Sequence, residues 1–301
     1  MGNASIREKV SKQILSAIES GTTLAWRRPW TTSKNAGRPT SLASRRAYSG
    51  VNAPLLQIHA NRYQLSSKWW ATYRQWESLG LPVKKRPDDV PPGEWGATIV
   101  FYKPINKKRT DDEGQELEDR FFMLRTFVVF NADQVEGADV FQVQEPKEPV
   151  LPDFGPADEL IAATKADIRH GGERAFYDRV GDYIQMPHKQ RFNPPGAYYE
   201  TLLHELAHFS EPRLGWNHEQ EGYAMGELVA ELAASMLSAE LGVPLGESLD
   251  NHAAYLKHWM DAMRADSSFI FKASTQASKV ADFLLSHVQQ PDVTREPLIV
   301  V

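Results

Sequence analysis

The chain has 301 residues and a formal net charge of −5, and 42% of its residues are hydrophobic and 24% charged. These proportions are ordinary for a globular protein and exclude a mostly disordered chain. Cysteine is absent, which excludes a disulfide scaffold, a cysteine-ligated zinc finger, an iron–sulfur cluster and a thiol nucleophile. We find no apolar run that could span a membrane and no apolar core of a signal peptide, so we expect a soluble cytoplasmic protein of two domains.

The net charge is the sum of two halves of opposite sign. Residues 1–110 hold 19 Lys and Arg against 6 Asp and Glu, a balance of +13, whereas residues 111–301 have a balance of −18. Six of the eight tryptophans lie in the basic half. Cations that neutralise phosphates and flat rings that stack on unpaired bases are what a surface for single-stranded nucleic acid requires. The alternative is a basic solvated face over a core that uses tryptophan.

Periodicity and turn residues predict a mixed α+β domain with an antiparallel sheet over residues 1–140. Its predicted elements are helices at 5–20, 52–63 and 67–79 and two paired strands at 95–104 and 120–130, with a charged hairpin tip at 105–119.

Residues 141–156 are rich in proline and acidic side chains, which is the composition of a linker. A second, mainly helical domain with short strands is predicted over 157–288, and the residues 289–301 are predicted to form a tail. The predicted elements of this domain are helices at 157–170, 196–209, 221–241, 247–264 and 273–288 and strands at 174–177 and 183–186.

A metal-binding pattern lies in the second domain, where residues 204–208 read His-Glu-Leu-Ala-His inside a predicted helix. Two imidazoles at positions i and i+4 lie on one helix face, so His204 and His208 can bind the same ion. Glu205 can then accept a proton from a water molecule on that ion. The alternative is a pair of ordinary surface histidines on an amphipathic helix.

A catalytic metal needs a third protein ligand and an open position. Glu227 and Glu231 lie one turn apart on the next long predicted helix, so one can complete the ligand set and the other can orient a liganding histidine. Spacing leaves open which glutamate does which. The strand at 183–186 precedes the motif and is either the sheet edge that pairs with an extended peptide or an ordinary strand.

The sequence resembles the ArdC-type antirestriction proteins of conjugative plasmids over nearly its whole length. The blocks that carry the resemblance are Trp26-Arg27-Arg28-Pro29-Trp30, Tyr48 to Asn52, Trp69 to Tyr73, Gly96 to Phe101, Tyr199 to His208 and Glu227 to Ala233.

The resemblance implies a small mixed α/β domain that binds single-stranded DNA, followed by a mainly helical zincin-like metallopeptidase domain with a short sheet. It implies protection of incoming plasmid DNA from host restriction. Double-stranded DNA is a further candidate ligand, and an unidentified host restriction component is the candidate protein substrate. The implied DNA contacts are Trp26, Arg27, Arg28, Trp30, Arg45, Arg46, Lys68, Trp69, Tyr73, Lys84, Lys85 and Arg86.

By similarity to other enzymes with this motif, the resemblance implies that Glu205 is catalytic and that His204, His208 and Glu227 bind the metal. Glu231 is then a supporting residue or the alternative ligand. The implied ion is Zn²⁺, with Mn²⁺ or another divalent ion as the alternative. Two other functions stay open: a non-catalytic DNA-coating protein with a structural or vestigial metal site, and a toxin or effector peptidase with a fused DNA module.

Overall fold

The structure is a computed structural model and describes residues 2–20, 33–110, 116–144, 154–216, 221–244 and 253–288. Its architecture is α+β, as predicted, with helices packed on two small sheets. Within the described ranges, no helix is both long and apolar enough to cross a lipid bilayer. The elements of the first half are α1 (Asn3–Glu19), β1 (Thr40–Ser41), α2 (Asn52–Arg62), β2 (Trp69–Thr72), α3 (Tyr73–Ser78), β3 (Ala97–Thr110) and β4 (Glu116–Asn131).

These strands form a four-stranded sheet in the order β1-β2-β4-β3, in which only β1 and β2 are parallel. The hairpin of β3 and β4 stays paired from Ala97 opposite Val129 to Thr110 opposite Glu116. The prediction of a charged tip at 105–119 is therefore wrong for most of that range, because charged side chains do not prevent backbone pairing. Residues 111–115 lie outside the described residues.

The helix predicted at 67–79 is wrong in its first half, where β2 forms instead. Trp70 and Ala71 pair with Asn131 and Phe130 of β4, and aromatic residues favour such a pleated, half-buried position. Thr72 then caps α3, because its hydroxyl accepts a hydrogen bond from the backbone N–H of Gln75.

The second half contains a three-stranded sheet and five α-helices among the described residues. Its elements are α4 (Gly155–Thr164), β5 (Asp167–His170), β6 (Phe176–Asp178), β7 (Tyr183–Met186), α5 (Gly196–Arg213), α6 (Tyr223–Leu241), α7 (Ala253–Ala265) and α8 (Phe269–Leu285). The predicted linker falls largely on residues 145–153, which lie outside the described residues, as does the predicted tail at 289–301.

Two predictions fail in this sheet. The helix predicted at 157–170 ends at Thr164 because Lys165 adopts a left-handed conformation, and the rest of that range becomes β5. β7 lies between β5 and β6 in the sheet. The proposal that the strand at 183–186 forms a sheet edge is therefore wrong, because both sides of this strand are paired. β6 is an edge strand instead.

One hydrophobic core runs through both halves of the chain. Ile6 and Val10 of α1 belong to the same buried cluster as Leu206 of α5, Leu228 of α6 and Trp259 of α7. The hydroxyl of Ser11 also donates a hydrogen bond to the carbonyl of Met263, at 3.3 Å. The first helix of the chain is thus held by helices of the second half. The domain boundaries at 140 and 157 stay a prediction.

Arg38 forms a second connection between the halves. Its Nη1 donates a hydrogen bond to Oδ1 of Asp282 at 2.8 Å, and its backbone N–H donates to Oε2 of Glu240 at 3.3 Å. The Arg38 side chain is almost completely buried. This ion-pair cluster ties the segment before β1 to α6 and α8.

Candidate metal centre

The two histidines of the motif lie one turn apart on α5, which packs against α6. Their Nε2 atoms are 3.2 Å apart. Glu227 of α6 lies opposite them, with Oε2 at 3.5 Å from Nε2 of His204 and Oε1 at 3.6 Å from Nε2 of His208. Among the described residues, these three are the group whose ligand atoms lie close enough together to hold one metal ion.

The spacing of these atoms fits a divalent ion. Ligands held at about 2.0–2.2 Å from a tetrahedral ion lie about 3.3–3.6 Å from one another. The Nε2 atoms are separated by 3.2 Å, and each lies 3.5–3.6 Å from one or the other oxygen of Glu227, which are distances of this size. Two imidazoles and one carboxylate leave a fourth position open, as catalytic sites of this kind do.

Glu231 occupies a different place from Glu227. Its Oε2 lies 3.9 Å from Nδ1 of His204, the ring nitrogen that faces away from the other ligand atoms, and its side chain is almost completely buried. A carboxylate at the outer nitrogen of a liganding histidine orients the ring and raises its basicity. The geometry thus favours Glu227 as the ligand and Glu231 as the orienting residue.

Glu211 lies at the outer nitrogen of His208, as Glu231 does at that of His204. The sequence analysis did not identify Glu211. Its Oε1 lies 2.8 Å from Nδ1 of His208, and its other oxygen is paired with Arg179. The spacing of three residues after His208 on one helix was a usable signal for Glu211. Arg179 lies in a turn between strands, where nothing in the sequence connects it to the motif.

Glu205 points from the same helix towards β6 and is buried. Burial raises the pKa of its carboxyl group; the charge of His204 and the backbone N–H of Tyr177 oppose this rise, and Glu227 adds to it. The backbone of Tyr177 thus lies close to Glu205, and β6 passes beside the motif. A carboxyl group that lies beside a metal-binding motif can act as a general base and then as a general acid.

The centre is strongly acidic. Four glutamates, at positions 205, 211, 227 and 231, surround two histidines. Burial opposes the charge on His204, but the hydrogen bond to Glu227 and the charges of Glu205, Glu231 and Glu227 outweigh burial and raise its pKa to about 9. Buried carboxylates require nearby cations. Arg179 pairs with Glu211, and a divalent ion between His204, His208 and Glu227 would supply further positive charge.

Two tyrosines lie at the mouth of the centre. The hydroxyl of Tyr223 is 2.9 Å from that of Tyr255, and the Tyr223 side chain is 60% exposed. The hydrogen bond with Tyr255, burial and the neighbouring Glu227 raise the pKa of Tyr223. Its phenol therefore stays protonated and can donate a hydrogen bond at the rim.

Only some of the residues predicted to contact DNA lie close to one another. Arg45 and Lys68 lie over the ring of Trp69, at 4.8 and 5.1 Å from its centroid, and Nε1 of Trp69 donates to Oδ1 of Asn35 at 3.0 Å. Tyr73, by contrast, is 50% exposed. The ring of Trp69 is thus covered by cations, whereas Tyr73 offers a free aromatic surface.

The remaining predicted contacts are spread over other segments. Arg46, Lys84 and Lys85 are exposed, although the Lys84 ammonium donates to the carbonyl of Asp133 at 2.9 Å. Arg86 folds back onto the carbonyls of Pro87 and Val90. Four further predicted contacts lie outside the described residues: Trp26, Arg27, Arg28 and Trp30.

The structure adds an aromatic pair that the sequence analysis did not single out. Phe101 of β3 and Phe127 of β4 are 54% and 44% exposed, with ring centroids 6.2 Å apart. Phe101 is opposite Arg125 in the ladder, so a cation lies on the same face. The alternation of side chains along a paired strand was the available signal.

Comparison with known families accounts for both halves of the chain. A family model described as the N-terminal domain of anti-restriction factor ArdC matches residues 4–130. A second, described as a zincin-like metallopeptidase, matches residues 155–276.

Solved structures of the antirestriction ArdC protein from plasmid R388 are similar to this chain. The metal-free form is 36% identical, with a TM-score of 0.72, and the match covers 93% of this chain and 97% of that one. The Mn(II)-bound form is 34% identical, with a TM-score of 0.67 and the same coverage. The relationship with a manganese-bound protein supports a divalent metal at the centre described above.

Two curated relatives differ in length. The uncharacterized protein y4eC of Sinorhizobium fredii is 35% identical over 96% of this chain and 94% of its own length. A DNA primase TraC of Escherichia coli is 32% identical over 94% of this chain, which spans only 27% of that primase.

Proposed function

The chain belongs to the ArdC family of antirestriction proteins, and from that premise we propose that it binds single-stranded DNA and acts as a metal-dependent peptidase. Together these activities protect incoming plasmid DNA from restriction in the cytoplasm of the host. The observation that carries the peptidase proposal is the convergence of His204, His208 and Glu227 within 3.6 Å of one another, beside the buried Glu205.

The proposed ligands are His204, His208 and Glu227, and the proposed ion is Zn²⁺. Mn²⁺ is the alternative, because two imidazoles and a carboxylate accept several divalent ions. When bound, such an ion supplies Lewis acidity that activates water at neutral pH and polarises a carbonyl group.

The chain itself supplies the proton transfer and the positioning. Glu205 takes a proton from the attacking water and returns it to the leaving amine, for which its raised pKa suits it. An extended peptide adds to the outer edge of β6 by backbone hydrogen bonds, beside Tyr177. The protonated hydroxyl of Tyr223 donates a hydrogen bond to the substrate at the rim.

The proposed DNA surface lies on the first half, where the basic charge concentrates. Exposed rings at Tyr73, Phe101 and Phe127 stack on bases, and neighbouring cations, Arg125 among them, neutralise phosphates. Holding DNA concentrates the peptidase near proteins that act on the same DNA. A host restriction component is the proposed substrate.

Glu205→Gln in the full chain tests the peptidase proposal. We expect the variant to keep its metal and its affinity for single-stranded DNA but to protect an incoming plasmid at least tenfold less in a restricting host. Glu159→Gln, an exposed change of the same chemistry on α4, serves as the control. Full protection by Glu205→Gln would instead favour a DNA-coating protein with a structural metal site.

Metal analysis of two further variants tests the ligand assignment. We expect Glu227→Gln to lose the metal in equilibrium dialysis, because it removes a charged ligand. Glu231→Gln retains the metal at reduced affinity, because the ligand set is intact. The reverse order of losses would assign the third ligand to Glu231.

A further inference from the structure

A cavity of about 470 Å³ lies where α1, β3, the start of α6 and α8 meet. None of the candidate metal ligands lines it. It adjoins Met225, which is on the same helix as Glu227 but two residues earlier. Cavities of this size accept a small organic ligand, and its walls come from both halves of the chain.

The walls of the cavity carry more positive than negative charge. Arg7, Lys272 and Lys279 line it, against the single carboxylate of Glu221. Lys272 makes only an exposed ion pair with Asp266, at 3.5 Å, and such pairs are weak. In the part of the chain that the structure describes, Lys279 makes no ion pair.

Arg7 contributes a guanidinium to this charged wall. It lines the cavity and lies beside the hydroxyl of Tyr102. Guanidinium groups bind phosphate through charge-assisted hydrogen bonds. Together with the two lysines, Arg7 matches a phosphate group.

The same cavity offers aromatic surfaces. Tyr102, Trp216 and Phe271 line it, and Tyr102 is 42% exposed. Gln276 contributes an amide that can donate and accept hydrogen bonds. Flat rings with a neighbouring amide are suited to a nucleobase, which has a π-face and a hydrogen-bonding edge.

We propose that this cavity binds a nucleotide, with its phosphate at Arg7, Lys272 and Lys279 and its base against Tyr102 and Trp216. The nucleotide is either free or part of a DNA strand, because both present the same phosphate and base. The residues of this site are distinct from those of the metal centre, so the two sites can be tested separately.

Calorimetric titration of the full chain with thymidine 5′-monophosphate tests the proposal, with thymidine and inorganic phosphate as partial ligands. We expect the nucleotide to bind at least tenfold more tightly than either part and less tightly as salt is added. Lys279→Glu weakens binding at least tenfold. Lys257→Glu, an equal charge change on the exposed face of α7, leaves binding unchanged.

Equal losses in the two lysine variants, or absence of nucleotide binding, would overturn the proposal. Binding of phosphate as tight as that of the nucleotide would also overturn it, because the base would then play no part. If an oligothymidylate displaces the bound mononucleotide, the site is assigned to a DNA strand. If the mononucleotide stays bound, the site is assigned to a free nucleotide. His204→Ala should leave nucleotide binding intact, so failure at the metal centre is distinguishable from failure here.

Discussion

Oε1 of Glu211 lies 2.8 Å from Nδ1 of His208, and the glutamate is almost completely buried between that imidazole and Arg179. Its carboxylate sets which nitrogen of the ring carries the proton, because Nδ1–H donates to it. Nε2 then keeps its lone pair free for a cation held between His204, His208 and Glu227. The ligand set therefore depends on a residue that does not itself reach the metal position.

We expect Glu211→Gln to lower the affinity for a divalent ion by about 10–100-fold, because the amide no longer fixes the ring by charge. Competition with a chelator of known affinity measures this change. Glu159→Gln should have the affinity of the unmodified chain. An unchanged affinity in Glu211→Gln would show that the ring is oriented by helix packing alone.

Two aromatic variants should separate DNA binding from stability. Tyr73→Ala removes an exposed ring and should weaken binding of an oligothymidylate by about 1–3 kcal/mol, the cost of one lost stacking contact. Trp69→Ala should chiefly lower the free energy of unfolding, because its ring packs under Arg45 and Lys68. Fluorescence anisotropy and urea unfolding measure the two effects. The opposite pattern would mean that the cations leave Trp69 when DNA binds.

Arg38→Ala should lower the free energy of unfolding by about 1–3 kcal/mol, less than the 3–5 kcal/mol of a fully buried pair. The smaller loss follows because the side chains of Asp282 and Glu240 are 62% and 33% exposed and can regain water. Arg174→Ala, at an exposed position, is the control for Arg38→Ala.

Because one hydrophobic core runs through both halves of the chain, we expect a single cooperative transition in urea. Two separate transitions would contradict a shared core.

His59 should make the fold sensitive to acid. Burial lowers its pKa to about 4, whereas in the unfolded chain its pKa is about 6.5. Between these values the unfolded chain binds the proton and the folded chain does not, so stability falls as the pH drops from about 6.5 towards 4, by about 2–3 kcal/mol. Urea unfolding of the chain and of His59→Gln at pH 7 and 4.5 measures it. A similar loss in both proteins would assign the acid sensitivity to other groups.

Local patterns predicted which side chains come together at the candidate metal centre. The spacing of His204 and His208 is a property of one helix, and Glu227 and Glu231 are one turn apart on the next, so their approach requires only that the two helices pack. The supporting Arg179 depends on a turn between strands, and its approach to Glu211 follows from tertiary packing that no spacing encodes.

Two errors in the predicted elements, one in each half, share a physical origin. Residues 69–72 become a strand because β4, some sixty residues later, supplies their hydrogen-bond partners. The helix predicted at 157–170 is shortened because β7 pairs with its last residues. In both cases a distant strand outweighs a local helical pattern, and a single sequence contains no record of that pairing.

The packing of α1 on α7 has a consequence for synthesis. The first helix leaves the ribosome early, but its partner begins at Ala253. At about 5–20 residues per second, roughly 12–50 s of translation separate the two segments. During that interval α2 and β4 are available to cover only part of α1, so the apolar face around Ile6 and Val10 stays partly exposed, and slow synthesis at low temperature favours intact product over aggregates.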